Sequence, residues 1–335
     1  MKASVIGGGT WGSAFALHLG RLNIPTKLWI REQDVYEEAL RHKENRAFLQ
    51  GYVFPETVSF FHSQEEALTS TDIVFIAIPS KFCRQVYLQL APHLSSNQMI
   101  VSLTKGIEEG SLKRMSEVME EVFSPFFTPQ IAVLSGPSFA KEVAEGHPTA
   151  VVLASQDESQ VKKVQHLISS PIFRTYTTSD IVGVELAGAV KNVIAIAAGI
   201  SDSLQFGSNS VAALVTRGIA EMTRLGSKLG ARMETFAGLA GIGDLVLTCT
   251  GKLSRNHFVG VELGKGKFLS EIVSSMKMVA EGITTTLSVH QLTQKVNVEM
   301  PICGQVYQVL YKNKDPRKAL ENLMTRKLKS EYQKE

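Results

Sequence analysis

The sequence predicts an α/β protein in two parts, a parallel sheet covered by helices and then an all-helical part. Three observations lead to this prediction. Short apolar runs alternate with segments of helical periodicity in the first half, and a glycine-rich turn follows the first of these runs. From about residue 181 the periodicity is helical almost to the end. We therefore expect domains spanning residues 1–180 and 181–335.

The apolar runs of the first half have the length and composition of strands that are buried on both faces. The expected strands are "ASVIG", "TKLWIR", "DIVFIAI", "MIVSL", "QIAVLS" and "TAVVLA". Helices are expected from Trp11, near Gln33, after Pro79 and near Ser111. Strands that alternate with helices in this way predict a parallel sheet.

Composition excludes several classes of protein. The chain has 335 residues, 44% of them hydrophobic and 20% charged, and its net charge of +3 argues against a nucleic-acid partner. Three widely spaced cysteines without a CxxC pair, together with scattered histidines, predict neither a disulfide framework nor a metal site. No apolar run approaches the roughly 20 residues needed to span a bilayer, and no signal-peptide pattern is present. We expect a cytoplasmic protein that is not an integral membrane protein.

The first turn has the spacing of a dinucleotide-binding loop. In "VIGGGTWG", Gly7, Gly9 and Gly12 form GxGxxG directly after the first strand and at the start of a helix. Gly7 permits the turn, Gly9 lets a pyrophosphate approach the backbone, and Gly12 packs the helix on the strand. The alternative is an ordinary tight turn, but the strand and helix on either side favour a Rossmann-like dinucleotide-binding domain.

The end of the second strand bears on the choice of cofactor. A strict NAD site would carry an acid there for the ribose 2′-hydroxyl, whereas this chain has Arg31 followed by Glu32. A guanidinium suits a 2′-phosphate through charge-assisted hydrogen bonds. NADP(H) is therefore favoured and NAD(H) remains possible. The alternative is an exposed arginine without a ligand.

One helix carries a single lysine among small and apolar residues. In "ELAGAVKNVIAIAAGI", no charge follows Glu185 except Lys191, and Gly188 and Ala195 lie one turn to either side of it. We expect these small residues to leave room for a substrate. A lysine kept partly out of water has a lowered pKa and can serve as a general acid or base. The alternative is a lysine that reaches solvent or pairs with an acid.

Two further polar segments follow strands of the expected sheet. "LTKGIE" places Lys105 after one strand, and "LSGPSFAKEV" places Gly136 and Ser138 after the next. Ligands of open α/β sheets bind at the carboxyl ends of the strands. We therefore expect these residues near a ligand, with Gly136 and Ser138 offering hydrogen-bond donors.

A third segment joins a glycine-rich loop to the start of a helix. It contains Asp244 and then Ser254, Arg255 and Asn256. Ser254 could simply be a helix cap and Arg255 a surface residue. A hydroxyl, a guanidinium and free backbone amides together would also bind a phosphate group well. Asp244 could hold the ammonium of a lysine in place.

At this level of detail the sequence resembles the bacterial type of NAD(P)H-dependent glycerol-3-phosphate dehydrogenase. The resemblance covers nearly the whole chain from residue 1 to about 290, in blocks that occur in the same order. These blocks are "GGGTWGSAFA", "LWIR", "TKGIE", "SGPSFAKEV", "ELAGAVKNVIAIAAGI", "TRGIAEMTRLG", "TFAGLAGIGDLVLTCT", "SRN" and "VAEGITT".

The resemblance implies reversible reduction of dihydroxyacetone phosphate to sn-glycerol 3-phosphate, which supplies glycerophospholipid synthesis. It also implies a homodimer, a helical domain like that of 6-phosphogluconate dehydrogenase, an active site between the domains, and Lys191 as proton donor or acceptor. The implied substrate-binding residues are Lys105, Gly136, Ser138, Lys191, Asp244, Ser254, Arg255 and Asn256. The implied cofactor contacts, beside the glycines of the first loop, are Thr10, Trp11, Arg31, Lys105, Ala140, Arg255, Val279 and Glu281.

Three other functions have to be weighed. The same architecture serves dehydrogenases acting on 6-phosphogluconate or a ketopantoate-type substrate, and fold alone does not separate them. The Ser-Arg-Asn segment argues against the second of these. A regulatory protein that binds the nicotinamide cofactor without turnover is the third possibility, and it would leave Lys191, Lys105 and Asp244 without a task.

Overall fold

The computed structural model describes residues 1–276, 278–328 and 330–331. One sheet contains strands β1 (Ala3–Ile6), β2 (Thr26–Trp29), β3 (Val58–Phe61), β4 (Ile73–Ile76), β5 (Met99–Ser102), β6 (Gln130–Ser135), β7 (Thr149–Ala154) and β8 (Phe173–Thr178). Its strand order is β3-β2-β1-β4-β5-β6-β7-β8. Every expected strand is present, and the α/β fold class with its helical second part is confirmed.

Helices connect the strands and then make up all the remaining regular structure that the model describes. Those that accompany the sheet are α1 (Thr10–Arg21), α2 (Gln33–His42), α3 (Gln64–Leu68), α4 (Cys83–Leu90), α5 (Met115–Phe123), α6 (Ala140–Glu145) and α7 (Glu158–Ile168). Those that follow it are α8 (Ile181–Ser203), α9 (Ser208–Lys228), α10 (Met233–Ala237), α11 (Asp244–Thr250), α12 (Arg255–Gly264), α13 (Leu269–Ser275), α14 (Glu281–Val296), α15 (Pro301–Lys312) and α16 (Pro316–Met324).

The sheet is not entirely parallel, because β7 runs antiparallel to β6. Between these two strands the chain forms only the short helix α6, which packs against α1 and ends at Gly146 in the left-handed conformation, with φ +81°. The chain therefore re-enters the sheet from the end at which β6 left it, whereas a parallel partner requires a crossover to the opposite end.

The sequence analysis did not predict two strands, β3 and β8. Both lie at the edges of the sheet and alternate buried with exposed side chains, as in the segment "FRTYTT" of β8. Continuous apolar runs, from which the other strands were expected, indicate strands covered on both faces. Edge strands do not have that pattern.

Helix α8 corrects the expectation that no segment is long and apolar enough to cross a membrane. It has 23 residues and meets that criterion by length and composition. Most of it is buried against α9, α11, α12 and α14, so it serves as the central helix of the helical part. Buried polar side chains, among them Glu185 and Lys191, lie on the same helix.

Gly188, which was expected to leave room for a substrate, makes room for protein instead, and so does Gly199. A Cβ at Gly199 would lie 2.0 Å from the carbonyl oxygen of His257, and one at Gly260 would lie 2.0 Å from that of Ile196. Helices α8 and α12 therefore touch backbone to backbone. A Cβ at Gly188 would lie 2.8 Å from Ser135 Oγ of β6. This close packing fixes α8 against the end of the sheet.

Candidate active site

A cleft of about 730 Å³ lies at the carboxyl ends of the strands and is lined by both the sheet part and the helical part. Most of the residues implicated by the sequence line this cleft, namely Gly7, Gly9, Thr10, Trp11, Arg31, Lys105, Ser138, Ala140, Lys191, Ser254, Arg255, Asn256, Val279 and Glu281. Three others, Gly12, Gly136 and Asp244, lie behind the lining. The cleft therefore brings together segments from the whole length of the chain.

The glycine loop between β1 and α1 forms a cradle at one end of the cleft. Gly7 has φ +121°, and a Cβ there would lie 2.5 Å from the carbonyl oxygen of Ala77. A Cβ at Gly12 would lie 1.9 Å from the carbonyl oxygen of Gly7, so α1 starts tightly against the loop. Gly9 has open space in front of it, beside the first amides of α1. This geometry fits a dinucleotide pyrophosphate.

Arg31 and Glu32 lie at the outer rim of this end and form an ion pair with each other. The Arg31 guanidinium also lies 5.9 Å from the centre of the Phe82 ring. Its side chain is 64% exposed, so it can reorient toward an anion in the cleft. Because an exposed pair of this kind contributes little stability, a phosphate could displace Glu32 at small cost.

Lys191 lies at the opposite end of the cleft, nearly enclosed by protein. Its Nζ donates to Asp244 Oδ1 at 2.6 Å and to Thr248 Oγ1 at 2.8 Å. The side chain is only 7% exposed, yet it contributes to the cleft lining. The ammonium is thus held from behind by α11 while it faces the cavity.

Lys105 approaches the same carboxylate from the sheet side. Its Nζ donates to Asp244 Oδ2 at 2.6 Å and to the carbonyl oxygen of Gly136 at 2.9 Å. Gly136, with φ +124°, also accepts from Ser138 Oγ at 2.9 Å. Gly136 therefore takes part through its carbonyl oxygen as an acceptor, where the sequence analysis expected a donor.

Burial and charge together set the ionisation of this cluster. Burial lowers the pKa of Lys191 to about 8, against the attraction of Asp244 and with added repulsion from Lys105. Burial acts to raise the pKa of Asp244, but the ammonium groups of Lys105 and Lys191 outweigh it and hold that pKa below its usual value. One carboxylate between two lysines leaves the cluster with a net positive charge.

The segment after α11 supplies a cation to the same cavity. Ser254 caps α12 by accepting the backbone N–H of His257 at 3.2 Å. Arg255, the first residue of α12, faces the cleft and makes no hydrogen bond or ion pair with any residue that the structure describes. Asn256 is held by its amide, which donates to Asn192 Oδ1 at 2.8 Å and accepts from the N–H of Gly282 at 2.9 Å. Arg255 is thus free to bind an anion.

Glu281, at the first turn of α14, links the two parts of the chain across the cleft. Its carboxylate accepts the Ser80 backbone N–H at 3.1 Å and the Ser80 hydroxyl at 2.5 Å. Burial raises the pKa of Glu281, against these hydrogen bonds. Next to it, Thr10 Oγ1 donates to Met278 Sδ at 2.9 Å. Val279 lines the cleft between these two contacts.

Sequence reasoning missed Thr248, Asn192 and Ser80. Thr248 lies four residues after Asp244 on α11, so helical spacing places it on the same face and could have revealed it. Asn192 directly follows Lys191, but its contact is with Asn256, which is 64 residues away. Ser80 gives no signal in the sequence, because its role depends on Glu281, which is about 200 residues away.

A glycine cradle for a dinucleotide and a buried lysine at the far end of one cleft define a nicotinamide-dependent dehydrogenase. Comparison with known proteins agrees. Models of the NAD-dependent glycerol-3-phosphate dehydrogenase N-terminus and C-terminus match residues 2–161 and 180–321. The chain therefore belongs to the NAD-dependent glycerol-3-phosphate dehydrogenase family.

Similar proteins from bacteria carry the same description over their full length. The chain is 51% identical to glycerol-3-phosphate dehydrogenase [NAD(P)+] of Koribacter versatilis over 97% of each chain. It is 50% identical to the Citrifermentans bemidjiense enzyme over 98% of each. The crystal structure of Coxiella burnetii glycerol-3-phosphate dehydrogenase superposes with a TM-score of 0.93 at 40% identity, covering 97% of this chain and 99% of that one. The chain is thus an oxidoreductase that uses NAD(P)(H) and interconverts dihydroxyacetone phosphate and glycerol 3-phosphate.

Proposed function

We propose that Lys191 is the proton donor when dihydroxyacetone phosphate is reduced and the proton acceptor in the reverse direction. The main support for this role is the position and the lowered pKa of the Lys191 ammonium. It is held by Asp244 and Thr248 at the closed end of the cleft and has a pKa lowered to about 8. A group with a pKa near the working pH can transfer a proton in either direction.

The bound nicotinamide supplies the hydride, and the chain supplies charge and a proton. When the carbonyl carbon accepts the hydride, negative charge develops on its oxygen, and a cation within hydrogen-bond reach stabilises it. Lys191 then donates its proton to that oxygen and remains as a neutral amine, held by Asp244 and Thr248. The Lys105 charge favours this proton release, because it disfavours a second ammonium beside it.

Arg255 is proposed to bind the substrate phosphate. Among the described residues it makes no hydrogen bond or ion pair, although the Glu281 carboxylate attracts it. It lies at the start of α12, where backbone amides add to its attraction for an anion. Ser138, Ser254 and Asn256 surround the same space and supply further polar groups.

The glycine loop is proposed to bind the cofactor pyrophosphate, with Arg31 meeting the 2′-phosphate of NADP(H). Binding of NADP(H) would exchange the Glu32 partner of Arg31 for that phosphate. Thr10, Trp11, Ala140, Val279 and Glu281 are proposed to complete the cofactor contacts, since they line the same cleft.

We further propose a division of the chain into two domains near residue 180, a homodimer in solution, and a role in supplying glycerophospholipid synthesis. Strand β8 ends at Thr178 and α8 begins at Ile181, which supports the domain division. Sedimentation or light scattering of the purified protein tests the dimer. The cytoplasmic location expected from the sequence stays a prediction.

The direct test of the function is loss of NADPH absorbance with dihydroxyacetone phosphate, run beside ketopantoate. We expect turnover with dihydroxyacetone phosphate and none with ketopantoate. In the reverse assay we expect NADP⁺ reduction with glycerol 3-phosphate and not with 6-phosphogluconate. Cofactor binding without any turnover would instead favour the regulatory alternative.

A further inference from the structure

Asn45, in the loop that follows α2, has a fully buried side chain next to the glycine loop. Its Nδ2 donates to the carbonyl oxygen of Gly8 at 2.7 Å and to Ser13 Oγ at 2.9 Å. The Ser13 hydroxyl in turn donates to the same Gly8 oxygen at 3.2 Å. Two donors thus hold one carbonyl at the centre of the GxGxxG turn.

The direction of the Gly8 carbonyl matters for an anion bound by this turn. A pyrophosphate is attracted by the backbone N–H groups of such a loop and repelled by any carbonyl oxygen that points at it. Glycines leave the backbone free to rotate, so the turn itself does not fix the carbonyl. Asn45 and Ser13 hold it on the side away from the cleft, where the two side chains are buried.

Asn45 also anchors the loop to which it belongs. Its Oδ1 accepts the backbone N–H of Phe48 at 3.2 Å, and its carbonyl oxygen accepts that of Leu49 at 2.7 Å. We call residues 44–54 the strap. At its other end, Tyr52 donates to Glu145 of α6 at 3.1 Å.

The strap contributes to the wall of the cleft beside the glycine loop. Its lining residues are Phe48, Leu49, Gln50 and Tyr52. One buried amide therefore connects the loop proposed to hold the pyrophosphate with the segment that forms the wall next to it.

We propose that Asn45 is a positioning residue for the cofactor pyrophosphate, acting through the Gly8 carbonyl and the strap. This inference rests on the dinucleotide binding proposed above. Asn45 is buried and does not line the cleft. It orients the backbone amides of the turn proposed to hold the pyrophosphate, so we expect its contribution only for ligands that carry a pyrophosphate.

Binding measurements test this without any turnover. In Asn45→Ala, the dissociation constants of ADP-ribose, NADH and NADPH should rise together by about fivefold to tenfold, the equivalent of one hydrogen bond. Adenosine 2′-monophosphate, which lacks the pyrophosphate, should bind as it does to the wild type. At saturating cofactor, kcat should stay within about twofold of the wild type.

Gln98 provides a matched control, because it is a buried amide of the same part of the chain that lies away from the cleft. Its Nε2 donates to Thr71 Oγ1 at 3.2 Å and to the Thr71 carbonyl oxygen at 3.1 Å. Gln98→Ala should lower the melting temperature while leaving the ADP-ribose dissociation constant unchanged.

Several results would overturn the proposal. They are unchanged ADP-ribose binding in Asn45→Ala, an equal loss for adenosine 2′-monophosphate, or an equal loss in Gln98→Ala. If Asn45→Ala does not fold, Ser13→Ala decides, with an expected two- to threefold loss in ADP-ribose affinity and rejection if none occurs. A wild-type protein that fails to bind ADP-ribose would instead refute the proposed cofactor site itself.

Discussion

The two ends of the cleft are built in different ways. At the nucleotide end, one continuous turn from Gly7 to Gly12 presents backbone groups to the cleft. Polar side chains at this end of the cleft, such as Arg31, lie at the exposed rim. At the substrate end, the groups are buried side chains whose charges depend on one another, with Asp244 placed between Lys191 and Lys105. Backbone geometry shapes the end proposed to bind the cofactor, and electrostatic interactions between side chains shape the end proposed to bind the substrate.

This difference predicts how each end responds to substitution. A single side chain at the nucleotide rim should affect binding of one cofactor and leave the chemistry alone. A single side chain at the substrate end should affect substrate binding or chemistry and leave cofactor binding alone, because the cluster lies at the far wall of the cleft.

The largest effect is expected for Lys191→Met. The variant keeps side-chain length and helix propensity but has no proton to donate, so hydride transfer in a single turnover should slow by about 10²- to 10⁴-fold or more. NADPH titration should give the wild-type affinity. The control is Lys162→Met on the exposed surface of α7, which should have wild-type rates. Turnover near the wild-type rate in Lys191→Met would assign the lysine a structural role.

The next effect concerns Arg31→Ala at the other end. If the guanidinium meets the 2′-phosphate, NADPH affinity should fall by about 1.5 to 3 kcal/mol, roughly 10- to 150-fold, and NADH affinity should hardly change. Isothermal titration with both cofactors measures this. Lys81→Ala, next to the same Phe82 ring, is the control. An equal loss for both cofactors would contradict the assignment.

Asp244→Asn should change the pH dependence of reduction. In the wild type, reduction needs the Lys191 ammonium, so its rate should fall as the pH rises through about 8, while the reverse reaction gains. In the wild type, the negative charge of Asp244 raises the pKa of Lys191. Asp244→Asn removes that charge, so the pKa of Lys191 should fall by about 1 to 3 units. At pH 8 about half of the wild-type Lys191 is charged, so a fall of one unit should slow reduction about fivefold and a fall of two units about 50-fold.

The Asp244 prediction is checked by measuring the single-turnover rate of both proteins as a function of pH. Cofactor titration of Asp244→Asn shows whether the variant is folded. The midpoint of the fall in reduction should move to lower pH in Asp244→Asn. A midpoint that stays where the wild type has it would mean that Asp244 does not set the ionisation of Lys191.

The smallest effect is expected for Arg255→Lys. A point charge replaces the planar fork at the start of α12, so the KM for dihydroxyacetone phosphate should rise by roughly tenfold, about one hydrogen bond to a charged group. Dihydroxyacetone without its phosphate should be a poor substrate for both proteins and lose little more in the variant. If Arg255→Lys discriminated against the unphosphorylated ketone as strongly as the wild type, the phosphate would bind elsewhere.

The sequence alone predicted the local features of this protein. Four features depend only on neighbours within a few residues: the glycine turn, the strands covered on both faces, the capping of α12 by Ser254 and the single lysine of α8. These features can therefore be predicted from the sequence, through glycine positions, apolar runs and helical spacing. Residue types alone left several substrates possible. The resemblance through many ordered sequence blocks indicated which reaction the protein catalyses.

Tertiary structure decided everything that depends on distant partners. No local sequence pattern predicts which separate segments come into contact. Examples are the antiparallel pairing of β7 with β6, the contact between Gly199 and α12, and the hydrogen bond from Asn45 to Gly8. The pKa of Lys191 is the clearest case, because it depends on how deeply the fold buries the ammonium and how closely Asp244 and Lys105 approach it. Burial and short-range charge are properties of packing, so only the folded chain sets them.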